Sequence, residues 1–94
     1  MSEQDLLRVS ATSPVAQVAS AIAHAVYDRG NVKMRAIGAG AVNQAIKAVA
    51  VARGFAAPKG YDLVMVPSFQ TIPGRDGGED ISAIVFEVFN RDHR

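Results

Sequence analysis

"AIGAGAVNQAIKA", Ala36–Ala48, closes an alternating run on two glycines one residue apart and continues as an alanine-rich, helically spaced stretch. Upstream, Val32 to Ile37 alternates with the period of two that a half-buried strand requires. Val32, Met34 and Ala36 fall on one face, and Lys33, Arg35 and Ile37 on the other. Downstream, the spacing predicts a helix from about Gly40 to Arg53, with Val42, Ile46, Val49 and Ala50 as its core stripe and Gly54 as its stop. Ala41, Ala45, Ala48 and Ala52 allow this helix to approach a sheet closely. The segment reads as strand, tight joint and helix.

The same unit precedes it. Leu6 to Ser10 is a short β-prone run, and Ser13-Pro14 opens a helix. Ser13 is placed to cap free N–H groups, and Pro14 suits the first helical position, where its missing N–H has no partner. Val15, Val18, Ile22 and Val26, with Ala19, form the apolar stripe, and Gly30 ends the helix in the left-handed conformation that glycine adopts freely. After the second helix, Asp62 to Ile72 is a strand broken by Pro67, hence an edge strand or one with a bulge. Pro73 to Gly78 is a glycine-rich turn, and Ile81 to Phe89 returns as the fourth strand, giving the order βαβαββ. That last strand is apolar on both faces: Ile81, Ala83, Val85 and Phe89 on one, Ile84, Phe86 and Val88 on the other. Such a strand is central and covered on both sides. If right-handed crossovers put both helices on one face, the other face is left for a second copy of the chain, and a homodimer or larger homo-oligomer through the sheet face is expected. A topology with one helix on each face needs no partner.

Ninety-four residues, 49% of them hydrophobic, make one domain spanning 1–94, with flexible tails expected at 1–5 and 90–94. No stretch is long and apolar enough for a membrane span, and the acidic, polar start is unlike a secretory signal. The absence of cysteine excludes disulfides, thiolate metal sites and a thiol nucleophile. A cytoplasmic protein without membrane association is the expectation. Net charge is only +1, but residues 6–59 hold seven basic groups against Asp28 alone. Asp62, Asp76, Glu79, Asp80 and Glu87 then face Arg75 alone. One side of the molecule is expected to prefer an anion.

The paired glycines are not a dinucleotide fingerprint, because Asn43 stands at the third glycine position and too little chain follows to complete such a domain. No Gly-Lys-Ser/Thr ends the turn, so it is not a Walker loop either. A helix N-terminus still offers unpaired N–H groups and a partial positive charge. Asn43 and Lys47 share one helical face, flanked by Gln44, and all three carry groups that can meet phosphate or base edges. The competing reading is that Gly38 and Gly40 serve packing alone and the polar side chains are merely solvated.

"AIGAGAVNQAIKAVAVARGF" (Ala36–Phe55) closely resembles the hallmark segment of the stage V sporulation protein S (SpoVS) family. The agreement extends to P-x-G-x-D-L at Pro58–Leu63, P-S-F at Pro67–Phe69 and the opening RVSATSP at Arg8–Pro14, covering about residues 6 to 89. The resemblance implies an α+β, Alba-like fold: a two-layer βαβαββ sandwich, its four-stranded mixed sheet carrying two helices on one face, which dimerises or assembles further. It also implies a role in bacterial development and, by analogy with Alba chromatin proteins, binding to DNA or RNA. Alba's Gly-Arg-Ala-Ile-Ser-Lys-Ala-Val is similar to Ala39–Ile46, but its Arg and Lys are here Gly40 and Gln44. Alba's lysines between the first strand and helix are absent from Ala11-Thr12-Ser13, which removes phosphate contacts. In Alba the hairpin arm reaches a DNA groove, whereas here Arg75 sits among Asp76, Glu79 and Asp80.

His24 and Asp28, four apart on the first helix, can pair, but no serine lies in a recognisable nucleophile elbow. No metal-ligand spacing is present. The reading is of a non-enzymatic, sporulation-type regulator without a cofactor, contacting nucleic acid through Lys33, Arg35, Gly38, Gly40, Asn43, Gln44, Lys47 and Arg75. The alternatives are a protein-interaction module and a sensor of a small phosphate ligand.

Overall fold

Period-two and helical patterns resolve into six main elements. The computed structural model describes residues 6–93. The order is β1 (Leu6–Val9), α1 (Val15–Arg29), β2 (Asn31–Ala36), α2 (Ala39–Ala56), β3 (Leu63–Ile72) and β4 (Ile81–Asn90), with 3-10 turns at Ala57–Lys59 and Arg91–His93. The strands form one sheet in the order β1-β2-β4-β3, with β1 parallel to β2 and both other pairings antiparallel. The helices pack on each other and on a single face of this sheet, over Val32, Met34, Ala36, Phe86, Val88 and Leu63. This is the expected two-layer βαβαββ sandwich.

β4 is an interior strand and β3 an edge. The β3–β4 register runs unbroken from Leu63 opposite Asn90 to Ile72 opposite Ile81, so Pro67 is accommodated by the edge position and not by a bulge. Register places Leu6, Arg8, Asn31, Lys33, Arg35, Val85, Glu87, Phe89, Val64 and Val66 on the face away from the helices. That open face is therefore not uniformly apolar. Its β1–β2 half carries three cations, with Lys33 opposite Glu87, and its β3–β4 half carries the valines.

Three local expectations are corrected. Ser13 does not cap α1, because its Oγ accepts the Ser10 N–H at 2.8 Å; Pro14 is the N-cap and its carbonyl accepts the Val18 N–H. The core stripe of α2 is Ala41, Ala45, Ala48, Val49, Ala52 and Ala56, leaving Ala50 exposed and Ile46 44% exposed. Close packing favours alanine at most of these positions; of the expected stripe Val49 is buried and Val42 packs against the core, while Ile46, Val51 and Phe55 are turned outward. Gly54 does not stop α2. The helix ends at Ala56 because Pro58 has no N–H to give the Gly54 carbonyl, and the chain turns away at Gly60, whose φ is 86°. α1 does end at Gly30, with φ 88° and its N–H on the Val26 carbonyl.

Asn90 closes β4 and residues 91–93 form a 3-10 turn, so the chain expected as a tail from residue 90 is built into the fold. Residues 1–5 and 94, also expected as tails, lie outside the described residues. No helix among the described residues is long and apolar enough to cross a membrane.

Candidate nucleic-acid interface

Because β1 and β2 are parallel, both strands end on the same side of the molecule and both helices begin there. The β1–α1 loop and the β2–α2 turn lie side by side. A Cβ at Gly40 would stand 2.9 Å from the Ala11 Cβ, closer than such atoms approach, so Gly40 is the residue that lets the two connections touch. Gln44 reaches across the same joint, its Nε2 donating to the Ser13 carbonyl at 2.9 Å. Within the loop, the Ser10, Thr12 and Ser13 hydroxyls bond one another.

Gly38 is the N-cap of α2 with φ 89° and ψ 158°, a backbone region that side-chain-bearing residues avoid. Neither helix has a side-chain cap or an acidic residue in its first turn, so the free N–H groups and partial positive charge of both face the same end.

The β3–β4 hairpin projects past this end. β2 stops at Ala36 opposite Ile84, whereas β3 and β4 continue pairing to Ile72 and Ile81. The Gly78 N–H bonds the Arg75 carbonyl at 2.8 Å, and Asp76 and Gly77 have φ of 53° and 78°. This is a type I′ turn, for which Asp-Gly is a favoured pair. The glycine-rich segment, read from sequence as a turn without regular structure, thus has a defined tip, and Arg75 stands at it.

The expected contact residues are distributed around the end and not gathered on one face. Arg35 and Lys33 are half-buried on the open sheet face, whereas Asn43 and Lys47 are exposed on the helix layer. Gly38 and Gly40 form the joint between these layers, Gln44 is engaged in holding it, and Arg75 is on the arm. One cation was missed. Arg8 is the register partner of Arg35 on β1, and with Val9, Ser10, Ala11 and Ile37 the two arginines line a shallow depression of about 250 Å³. The alternation of Leu6 to Ser10 was the signal available for it.

Of the His24–Asp28 pair that the spacing allows, His24 turns Nδ1 back to its own helix, donating to the Ser20 carbonyl at 2.9 Å. No cluster of three His, Asp or Glu suited to a metal occurs among the described residues. At the far end of the molecule, Asp62 accepts from Arg91 Nε at 2.6 Å and Arg53 Nη1 at 2.9 Å. Chiefly the Arg91 hydrogen bond, and then that of Arg53, hold its carboxyl below the usual carboxylate range.

The family model of stage V sporulation protein S (SpoVS) matches residues 5–91. The chain belongs to that family. Membership in SpoVS implies a sporulation-related role, and neither SpoVS nor the Alba fold is known for catalysis. Among solved structures, Alba from Thermoplasma volcanium is similar with a TM-score of 0.60 at 16% identity, over 90% of this chain and 99% of that one. At that identity the likeness is one of fold. The SpoVS motifs also gain structural roles: in P-x-G-x-D-L, Pro58 ends α2, Gly60 turns the chain, Asp62 binds two arginines and Leu63 is buried.

Proposed function

We propose that this SpoVS member is a non-enzymatic, cytoplasmic developmental regulator that self-associates and binds nucleic acid at the end where both helices start. The observation that carries this reading is the convergence of two uncapped helix N-termini, the Arg8–Arg35 pair and the Arg75-tipped arm on one side of the sandwich. A phosphate backbone laid across that end meets Arg8 and Arg35 from the sheet side and Asn43 and Lys47 from the helix side. Lys33 contributes less, since its cross-strand neighbour Glu87 offsets its charge.

Gel-shift titrations with DNA and RNA at about 50 mM and 200 mM salt test this. With four phosphate contacts, affinity falls roughly a hundredfold across that range. Arg35→Ala/Lys47→Ala is expected to reduce the salt slope by about two with helix content unchanged. Binding equal to the parent would show the surface to be wrongly assigned. Self-association is assigned to the apolar β3–β4 half of the open face, around Val64, Val66 and Val85.

A second reading, a protein-interaction module, is favoured by large apolar side chains left in solvent, with Phe69 67% exposed and Ile46 and Phe55 outward on α2. No shift with either nucleic acid at either salt concentration would select it.

A further inference from the structure

At the end of the sandwich opposite to that surface, α1 stops, β3 begins and β4 finishes. Val26 and Tyr27 from α1, Gly30 at its C-cap, Tyr61 from the segment before β3, and Asn90 from β4 line a pocket of about 230 Å³. This is below the roughly 300 Å³ at which drug-sized sites begin, and suits a single small ring system. The Tyr27 and Tyr61 rings are 5.0 Å apart and inclined at 58°. Tyr27 is held by its hydroxyl, which donates to the Phe55 carbonyl, and Lys59 Nζ lies 5.1 Å from the centre of its ring. A side chain at Gly30 would meet nothing within 4 Å, so the mouth is open on that side.

Asn90 is the telling group. Among the described residues it is the one buried polar side chain, only 6% exposed. Its Oδ1 accepts the Asp62 N–H at 2.8 Å, but its Nδ2 has no partner among the described residues. Every buried side-chain nitrogen or oxygen among them does have a partner, so Nδ2 is not sealed in. Asn90 lines the pocket, and with Oδ1 engaged Nδ2 is the polar atom its amide has left to offer there. The wall of this aromatic-lined space thus includes an amide anchored through its oxygen, beside the last turn of α1, whose final carbonyls lack helical partners. A cation stands nearby.

We propose that this pocket binds a nucleobase carrying a phosphate, either in a free mononucleotide or presented by a single strand. The ring stacks against the tyrosines, Asn90 Nδ2 donates to a ring nitrogen or carbonyl, and Lys59 meets the phosphate. Stacking tolerates any base, whereas the amide donor requires an acceptor on the ring edge. The site is separate from the proposed backbone-binding end and does not depend on it.

The chain has two tyrosines and no tryptophan, so its intrinsic fluorescence reports on this pocket alone. Titration of the whole protein with AMP, and separately with a short single-stranded oligo(dA), is expected to give saturable quenching. Saturation by AMP identifies a mononucleotide site, and saturation by the oligonucleotide alone identifies a strand-borne base. Tyr61→Ala is expected to weaken binding about tenfold, the effect of losing one stacking partner. Lys59→Ala, at an exposed position, should weaken AMP but not adenosine. Arg35→Ala/Lys47→Ala, at the other end, should leave the AMP titration unchanged even if it abolishes gel shifts. No saturable quenching by either ligand up to millimolar concentration, or parental affinity in both Tyr61→Ala and Lys59→Ala, overturns the proposal.

Discussion

Gly40 meets Ala11 at a joint only two small residues can make, and this fixes what the paired glycines do. A methyl group at position 40 would stand 2.9 Å from the Ala11 Cβ. Gly40→Ala is expected to lower stability by about 1 kcal/mol in chemical denaturation, the low end for overpacking. Adding Ala11→Gly should restore most of that loss, because the pair shares one contact. Asp62 makes a second prediction at this scale. With the carboxyl held below its ordinary value of 3.8, its ion pairs stabilise fully above that pH and are lost as pH falls through the lowered value. Asp62→Asn should therefore melt below the parent at pH 7, and the gap should narrow as the pH is taken down below the ordinary carboxylate value, as thermal melts at neutral and acid pH will read. These residues were visible in the sequence as motif letters. Their roles were not, because each depends on a neighbour distant in the chain: Ala11 for Gly40, Ser13 for Gln44, Arg91 for Asp62.

The elements divide by how far local chemistry determines them. The buried face of β2 was legible, since alternation decides which side of a strand is buried and Val32, Met34 and Ala36 are indeed the buried ones, although the strand runs from Asn31 to Ala36 and leaves out Ile37. Gly30 was legible because a left-handed helix end is a property of one residue. α2 misled. Hydrophobicity weights Ile46 above Ala45, yet five of the six residues α2 buries are alanines, Val49 being the sixth, and Ile46 is turned outward. Ala45, Ala48 and Ala52 are completely buried. Accordingly, Ala48→Leu is expected to lower stability by about 1–3 kcal/mol in chemical denaturation. Ala50→Leu, on the exposed side of the same helix, should stay within about 0.5 kcal/mol of the parent. The helix end at Ala56 instead of Gly54 follows the same lesson. Glycine permits an exit without requiring one, while the missing N–H of Pro58 forbids continuation.

For the molecule as a whole, the βαβαββ succession, the interior β4 and the β3–β4 hairpin were readable from the residues, whereas the placement of both helices on one face was one of two topologies they allowed and followed only from the SpoVS resemblance; the character of the open face was not readable. It takes register to set Lys33 against Glu87 and Arg8 against Arg35, and so to divide that face into a charged half and an apolar half. Self-association through the apolar half is expected to be lost in Val66→Lys. Sedimentation velocity at micromolar concentration will show this as a shift to the monomer, and an unchanged sedimentation coefficient would exclude that half of the sheet. The parallel pairing of β1 with β2 has one more consequence. Two helices launched in the same sense add their dipoles instead of cancelling them, so a polyanion exerts a torque on this 48 Å long body before any side chain arrives. The protein would then land end-on, its tyrosines pointing away from the surface it rests on.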